Sequence, residues 1–135
     1  MNQRAAAIII KNGKILLIQR IKNGKEYFVF PGGGVKEGEF PKETIVREVK
    51  EELSLDIINI EKLIFQVKNR GREELYYLIT DFSGELGLGG GEKEIMDEDN
   101  QYYPVWMKFD EIKRLTNLYP QEAKEKIIKI YEEKN

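Results

Sequence analysis

Residues 31–55 read PGGGVKEGEFPKETIVREVKEELSL, and the fold is legible outward from this stretch. Three successive glycines at Gly32, Gly33 and Gly34 interrupt a β-prone run, and Pro41 suits the first turn of a helix running to about Leu53. Phe40 offers that helix no N-cap side chain. On a wheel of ~100° per residue, Glu48, Glu51 and Glu52 fall within an arc of about 100°, beside an apolar stripe of Ile45, Val46, Val49 and Leu53. Carboxylates at such spacings repel one another, and acids in a last turn oppose the helix dipole. A divalent cation reverses both penalties, because a hard cation needs several oxygens converging on one face. An isolated E-x-x-E-E string reads more simply as a solvated acidic face. The adjoining glycines change that balance, since they let backbone approach a ligand closely and present unhindered carbonyls and amides.

Before this stretch, Ala5 to Ile10 and Lys14 to Gln19 are β-prone runs joined by Asn12-Gly13, and Asn23-Gly24 leads on to Glu26 to Phe30. Asn-Gly is the strongest short signal for a two-residue hairpin turn, so three antiparallel strands are expected. After it, Asp56 to Val67 and Glu74 to Phe82 read as strands linked by the charged turn Lys68 to Glu73, and Tyr102 to Phe109 as a last aromatic strand with Trp106 in the core. Pro120 opens a terminal helix whose Ala123, Ile127, Ile130 and Tyr131 recur at helical spacing and should dock on the sheet. Gly84 to Gly91 followed by Glu92, Glu94, Asp97, Glu98 and Asp99 reads as a mobile acidic loop. The expectation is a single domain over 1–135, α+β, with a mixed sheet and no βαβ repeat.

Composition narrows the chemistry. The chain has no cysteine, which excludes a disulfide framework and a thiol nucleophile and suits a reducing compartment; cytoplasm is the default expectation. It has no histidine either, so any acid or base must be a carboxylate, Lys or Tyr, and any metal must be held by oxygen, which favours Mg²⁺, Mn²⁺ or Ca²⁺. A net charge of −2 gives no general attraction for a nucleic-acid polymer or an anionic membrane, and the apolar run before Ile10 is too short to span a bilayer.

Gly33, Glu39, Arg47, Glu48, Val49, Glu51, Glu52 and Leu55 match, at the right spacing, the box of the Nudix hydrolase family: Gly, five residues, Glu, seven residues, then Arg-Glu-aliphatic-x-Glu-Glu-x-Gly-aliphatic. Only Ser54 departs, where the family has glycine. The chain therefore resembles a MutT-like Nudix protein, which implies an α/β/α sandwich around a central mixed sheet. The resemblance also implies hydrolysis of a phosphoanhydride in a nucleotide-like substrate with Mg²⁺, or Mn²⁺ in its place. It places the metal on Glu48, Glu51, Glu52 and the Gly32 carbonyl, with Glu92, or its rivals Glu94 and Glu98, supplied from the later loop. Glu48 or Glu52 is the implied base, and Arg47 and Glu39 support the catalytic set. Arg20 resembles the family's phosphate-contacting arginine, and Gln101, Tyr102 and Tyr103 could meet a base by hydrogen bonding or stacking.

Family subgroups acting on ADP-ribose carry a Pro fifteen positions past the box, and those acting on dinucleoside polyphosphates a Tyr sixteen to eighteen past it. Those positions here are Arg70, Gly71, Arg72 and Glu73, which leaves a nucleoside triphosphate, oxidised or intact, as the expected substrate. The expected partner is a small nucleotide-like molecule, with a homodimer among the allowed assemblies. A non-catalytic nucleotide sensor and a Ca²⁺-binding structural domain are the rival readings.

Overall fold

The computed structural model describes residues 2–87 and 99–134. Asn12 and Asn23 both sit at φ 52, each followed by a glycine with φ above 70, the left-handed pair that a tight hairpin turn requires. These turns join β1 (Gln3–Lys11) to β2 (Lys14–Lys22) and β2 to β3 (Lys25–Val29). β1 and β2 stay paired only beside their turn, at Ile10 with Ile15 and Lys11 with Lys14. Beyond it they diverge. β4 (Gly32–Gly34) pairs antiparallel with β1, and β9 (Asn100–Lys108) runs antiparallel along β2. β7 (Arg72–Ile79) lies parallel to β1 and antiparallel to β6 (Lys62–Asn69), so the sheet is mixed.

Strand alternation sends side chains to two cores. Ala5, Ala7, Ile9, Leu16 and Ile18 face α1 (Pro41–Leu53), meeting its Ile45, Val49 and Leu53. Ala6, Ile8, Leu17 and Leu78 face the other way, onto α2 (Phe109–Arg114) and α3 (Gln121–Lys134), through Ile112, Ala123 and Ile127. The protein is thus an α+β fold with a mixed sheet between flanking helices, as the sequence implied. Among the described residues no helix is long and apolar enough to cross a membrane.

The expected strand Asp56–Val67 is two strands, β5 (Asp56–Asn59) and β6, and Glu74–Phe82 divides into β7 and β8 (Asp81–Ser83), which pairs with β5 as a separate ribbon. The turn expected over Lys68–Glu73 tightens to Arg70-Gly71, both at positive φ. Val46 is not in the helix stripe: it is 44% exposed, while Thr44 is fully buried in its place. β4, α2 and the short β10 (Leu118–Tyr119), parallel to β3, were not anticipated. The acidic segment Glu92 to Glu98 lies outside the described residues.

Candidate metal and catalytic site

The glycine turn is pressed between β1 and α1. The Ala7 amide donates to Pro31 O at 2.8 Å, and Arg4 Nη2 donates to Phe30 O at 3.0 Å, which fixes the entry into the turn. Gly32 sits at φ 152, and a Cβ there would fall 2.2 Å from Ala5 O, so only glycine fits between the strands. Its amide donates to Glu52 Oε1 at 2.9 Å. A Cβ on Gly33 would fall 2.3 Å from the Glu48 carboxyl carbon. Glu48 and Glu52, one turn apart, therefore both lay their carboxylates on the backbone of residues 32–33.

Arg47 braces this face from the outside. Its Nε and Nη2 donate to the two oxygens of Glu39 at 2.9 and 3.0 Å, Nη1 donates to Glu48 Oε1 at 2.8 Å and to Glu51 at 3.4 Å, and Nη2 reaches Gly34 O at 3.3 Å. One planar cation thus ties loop, helix and turn together, a geometry that a lysine could not reproduce. Glu39 also accepts from the buried Thr44 hydroxyl at 2.7 Å and from the Lys36 amide. The Arg47 hydrogen bonds, then the Thr44 hydroxyl, hold the Glu39 carboxyl down at about 2. Its acidic partners raise the Arg47 guanidinium above its ordinary value. Thr44 was missed in the sequence because a threonine inside a helix looks neutral until the loop it supports is placed.

The helix ends as the Ser54 departure requires. Ser54 adopts φ 61 and ψ 24, the left-handed residue for which glycine is cheapest, and its amide closes on Lys50 O at 3.0 Å. At the other end the Glu43 carboxylate accepts from the Phe40 amide at 2.8 Å, supplying the capping contact that Phe40 itself lacks.

A divalent cation fits the inward face. Every donor is an oxygen, the chain has no histidine or cysteine to compete, and glycine leaves the turn's backbone open to Glu48. Among the described residues no three acids are grouped as a complete cage. Glu51 turns outward and is 52% exposed in its side chain, and Glu92, Glu94 and Glu98 lie outside the described residues. Two carboxylates are nevertheless what Mg²⁺ commonly takes from a protein, the rest of its shell being water and substrate phosphate.

Arg20 lies on another part of the same sheet face. Cross-strand pairing aligns it with Tyr27 on one side and Tyr102 on the other, and its guanidinium stands 3.8 Å from the Tyr102 ring centre and 5.9 Å from that of Tyr27. Nη2 donates to Asn100 Oδ1 at 3.2 Å, while Nε is buried with no partner among the described residues. Alternation separates the three residues expected near a base. Tyr102 shares the α1 face with Arg20; Gln101 and Tyr103 alternate to the opposite face, where the Tyr103 hydroxyl donates to Gln101 Oε1 at 2.7 Å. Trp106 packs against the α1-side core and stacks on Phe82.

A mixed sheet between helices, with a glycine turn set against the acids of its first helix, defines a class of sandwich proteins whose site is an oxygen-lined cradle. Within that class the chain belongs to the Nudix family, whose NUDIX domain matches residues 1–128. It is 37% identical over 94 residues to an ADP-ribose pyrophosphatase of Methanocaldococcus jannaschii, covering 64% of this chain and 55% of that one. It is 34% identical over 98 residues to an 8-oxo-dGTP diphosphatase of Haemophilus influenzae, covering 66% and 71%. The fold superposes on a MutT NUDIX hydrolase from Burkholderia pseudomallei with a TM-score of 0.66 and 25% identity, covering 81% and 84%.

Proposed function

We propose that the protein is a Mg²⁺-dependent hydrolase that cleaves a phosphoanhydride bond of a nucleoside di- or triphosphate derivative, with a nucleoside triphosphate giving monophosphate and pyrophosphate as its first substrate. The observation that carries this reading is the convergence of Glu48 and Glu52 on the Gly32–Gly33 backbone. Glu48 and Glu52 would hold the cation, with Glu51 and an acid of 92–98 as further donors. When bound, Mg²⁺ neutralises phosphate charge and acidifies a water, the two things that a shielded phosphoanhydride lacks. Glu48 or Glu52 takes the proton of the attacking water, Arg47 and Glu39 keep the carboxylates aimed, and Arg20 meets substrate phosphate. Tyr102 offers a ring face to the substrate beside Arg20.

The two relatives described above name ADP-ribose and 8-oxo-dGTP, and residues 70–73 favour a triphosphate because the Pro mark of ADP-ribose enzymes and the Tyr mark of dinucleoside polyphosphate enzymes are both missing there. A panel of intact and 8-oxo nucleoside triphosphates, ADP-ribose, nucleotide sugars and dinucleoside polyphosphates, each with and without Mg²⁺, tests the proposal. Mg²⁺-dependent release of pyrophosphate from a triphosphate is the expected result. Turnover of ADP-ribose alone would replace the substrate, and binding without turnover throughout would replace the enzyme with a sensor.

A further inference from the structure

Remote from the acids, on the face that carries α3, an apolar cavity of about 430 Å³ opens between the sheet and the C-terminal half of that helix. Its lining reaches the buried core at Ile15 and Leu78, and Tyr131, stacked on Phe109, stands at the helix side. Packed cores leave few voids larger than a water, whereas small-ligand pockets occupy roughly 300–1,000 Å³ and are mostly apolar with a few placed polar groups.

Two independent features shape this opening. The pairing of β6 with β7 shifts register between Leu63 and Phe65, and both Leu63 and Ile64 line the cavity although strict alternation would put them on opposite faces. A bulge re-aims side chains in this way and is common beside binding sites. Lys62, the one charged residue of the lining, is exposed and pairs directly with Leu78, so it shares the cavity face; no hydrogen bond or ion pair engages it among the described residues.

We propose that this cavity binds a small amphiphile with a linear aliphatic body and an anionic head, of the aliphatic carboxylate class, the chain lying between Ile64 and Tyr131 and the carboxylate meeting Lys62. The charge at the mouth selects the head, and a lining that is otherwise aliphatic and aromatic among the described residues, with the Tyr131 phenol its one further polar side chain, selects the body. This site stands whether or not the protein is a hydrolase.

The test titrates the full chain with decanoate, decanol and decyltrimethylammonium below their micellar concentrations, read by amide NMR shifts. Decanoate should saturate one site and move the amides of Ile15, Leu63, Ile64 and Leu78. Lys62→Glu, a surface change that leaves the core intact, should weaken decanoate by about tenfold, leave decanol within about twofold and favour the ammonium probe. The proposal fails if decanoate binds Lys62→Glu as tightly as wild type, if the shifts fall elsewhere, or if no site saturates. It fails equally if Leu63→Glu splits a dimer that covers this face, or if the chain sediments with anionic phospholipid vesicles through it.

Discussion

Arg47 links Glu39, Glu48, Glu51 and the Gly34 carbonyl, all within residues 34–51, whereas Arg20 leans on the rings of Tyr27 and Tyr102 and leaves its Nε without a partner among the described residues. The first arginine is saturated and the second is not. A saturated guanidinium holds other groups in place; one set among aromatic rings with donor capacity left matches the phosphate-binding role proposed for Arg20. The two sites should respond differently to mutation, the acid face through the chemical step and the arginine row through binding.

The largest effect is expected from Glu52→Gln. The glutamine carbonyl can still accept the Gly32 amide, so the fold should melt cooperatively near the wild-type temperature, but removing one charge from the cradle should lower kcat by roughly 10³-fold. Retention of near-normal Mg²⁺-dependent turnover would break the distinction at its stronger end. Gly33→Ala should come next. Its methyl must displace the Glu48 carboxylate, and a misplacement of about 1 Å costs roughly 10²-fold. A variant with wild-type kcat would show that Glu48 need not lie on the turn.

Arg20→Leu sharpens the contrast from the other side. It should raise KM by about tenfold with kcat nearly unchanged, the signature of an interaction made equally in ground and transition states. A fall in kcat with constant KM would move Arg20 into the chemical step.

Much of the acid face was readable because its parts are consecutive: the glycines, the helix and the acids lie within residues 31–55, where spacing placed Glu48 and Glu52 correctly but did not show that Glu51 turns outward. The arginine row was half readable. Arg20 and Asn100 are 80 residues apart, and nothing local joins them. Grouping Gln101 and Tyr103 with Tyr102 overlooked the two-residue period of a strand, which sends them to the other face. The sheet's interruptions were hidden for similar reasons. β4 is three glycines with no side chains to alternate, α2 spans six residues, too few for a helical period, and the bulge at Leu63–Phe65 sits inside a continuous apolar run.

Two smaller effects probe the frame around the acids. Glu39 titrates far below the ordinary carboxylate range, held there chiefly by Arg47, so its contribution to stability is complete above pH 4.5 and is lost as pH falls toward about 2. Melting temperatures of wild type and Glu39→Gln should therefore differ most above pH 4.5 and converge in stronger acid. Parallel curves down to pH 2 would contradict that coupling. Ser54→Gly should stabilise the protein by up to about 1 kcal/mol, since it relieves a left-handed residue without touching the acids, and thermal melts should show it with turnover unchanged.

In the proposed mechanism Glu48 and Glu52 share one divalent cation at the glycine turn. Mn²⁺, substituted for Mg²⁺ and titrated into the ¹⁵N-labelled protein, should broaden the Gly32 and Gly33 amides first, and the Glu48→Gln/Glu52→Gln double variant should lose that broadening. Equal broadening in the double variant, or broadening that begins elsewhere on the chain, would contradict the account.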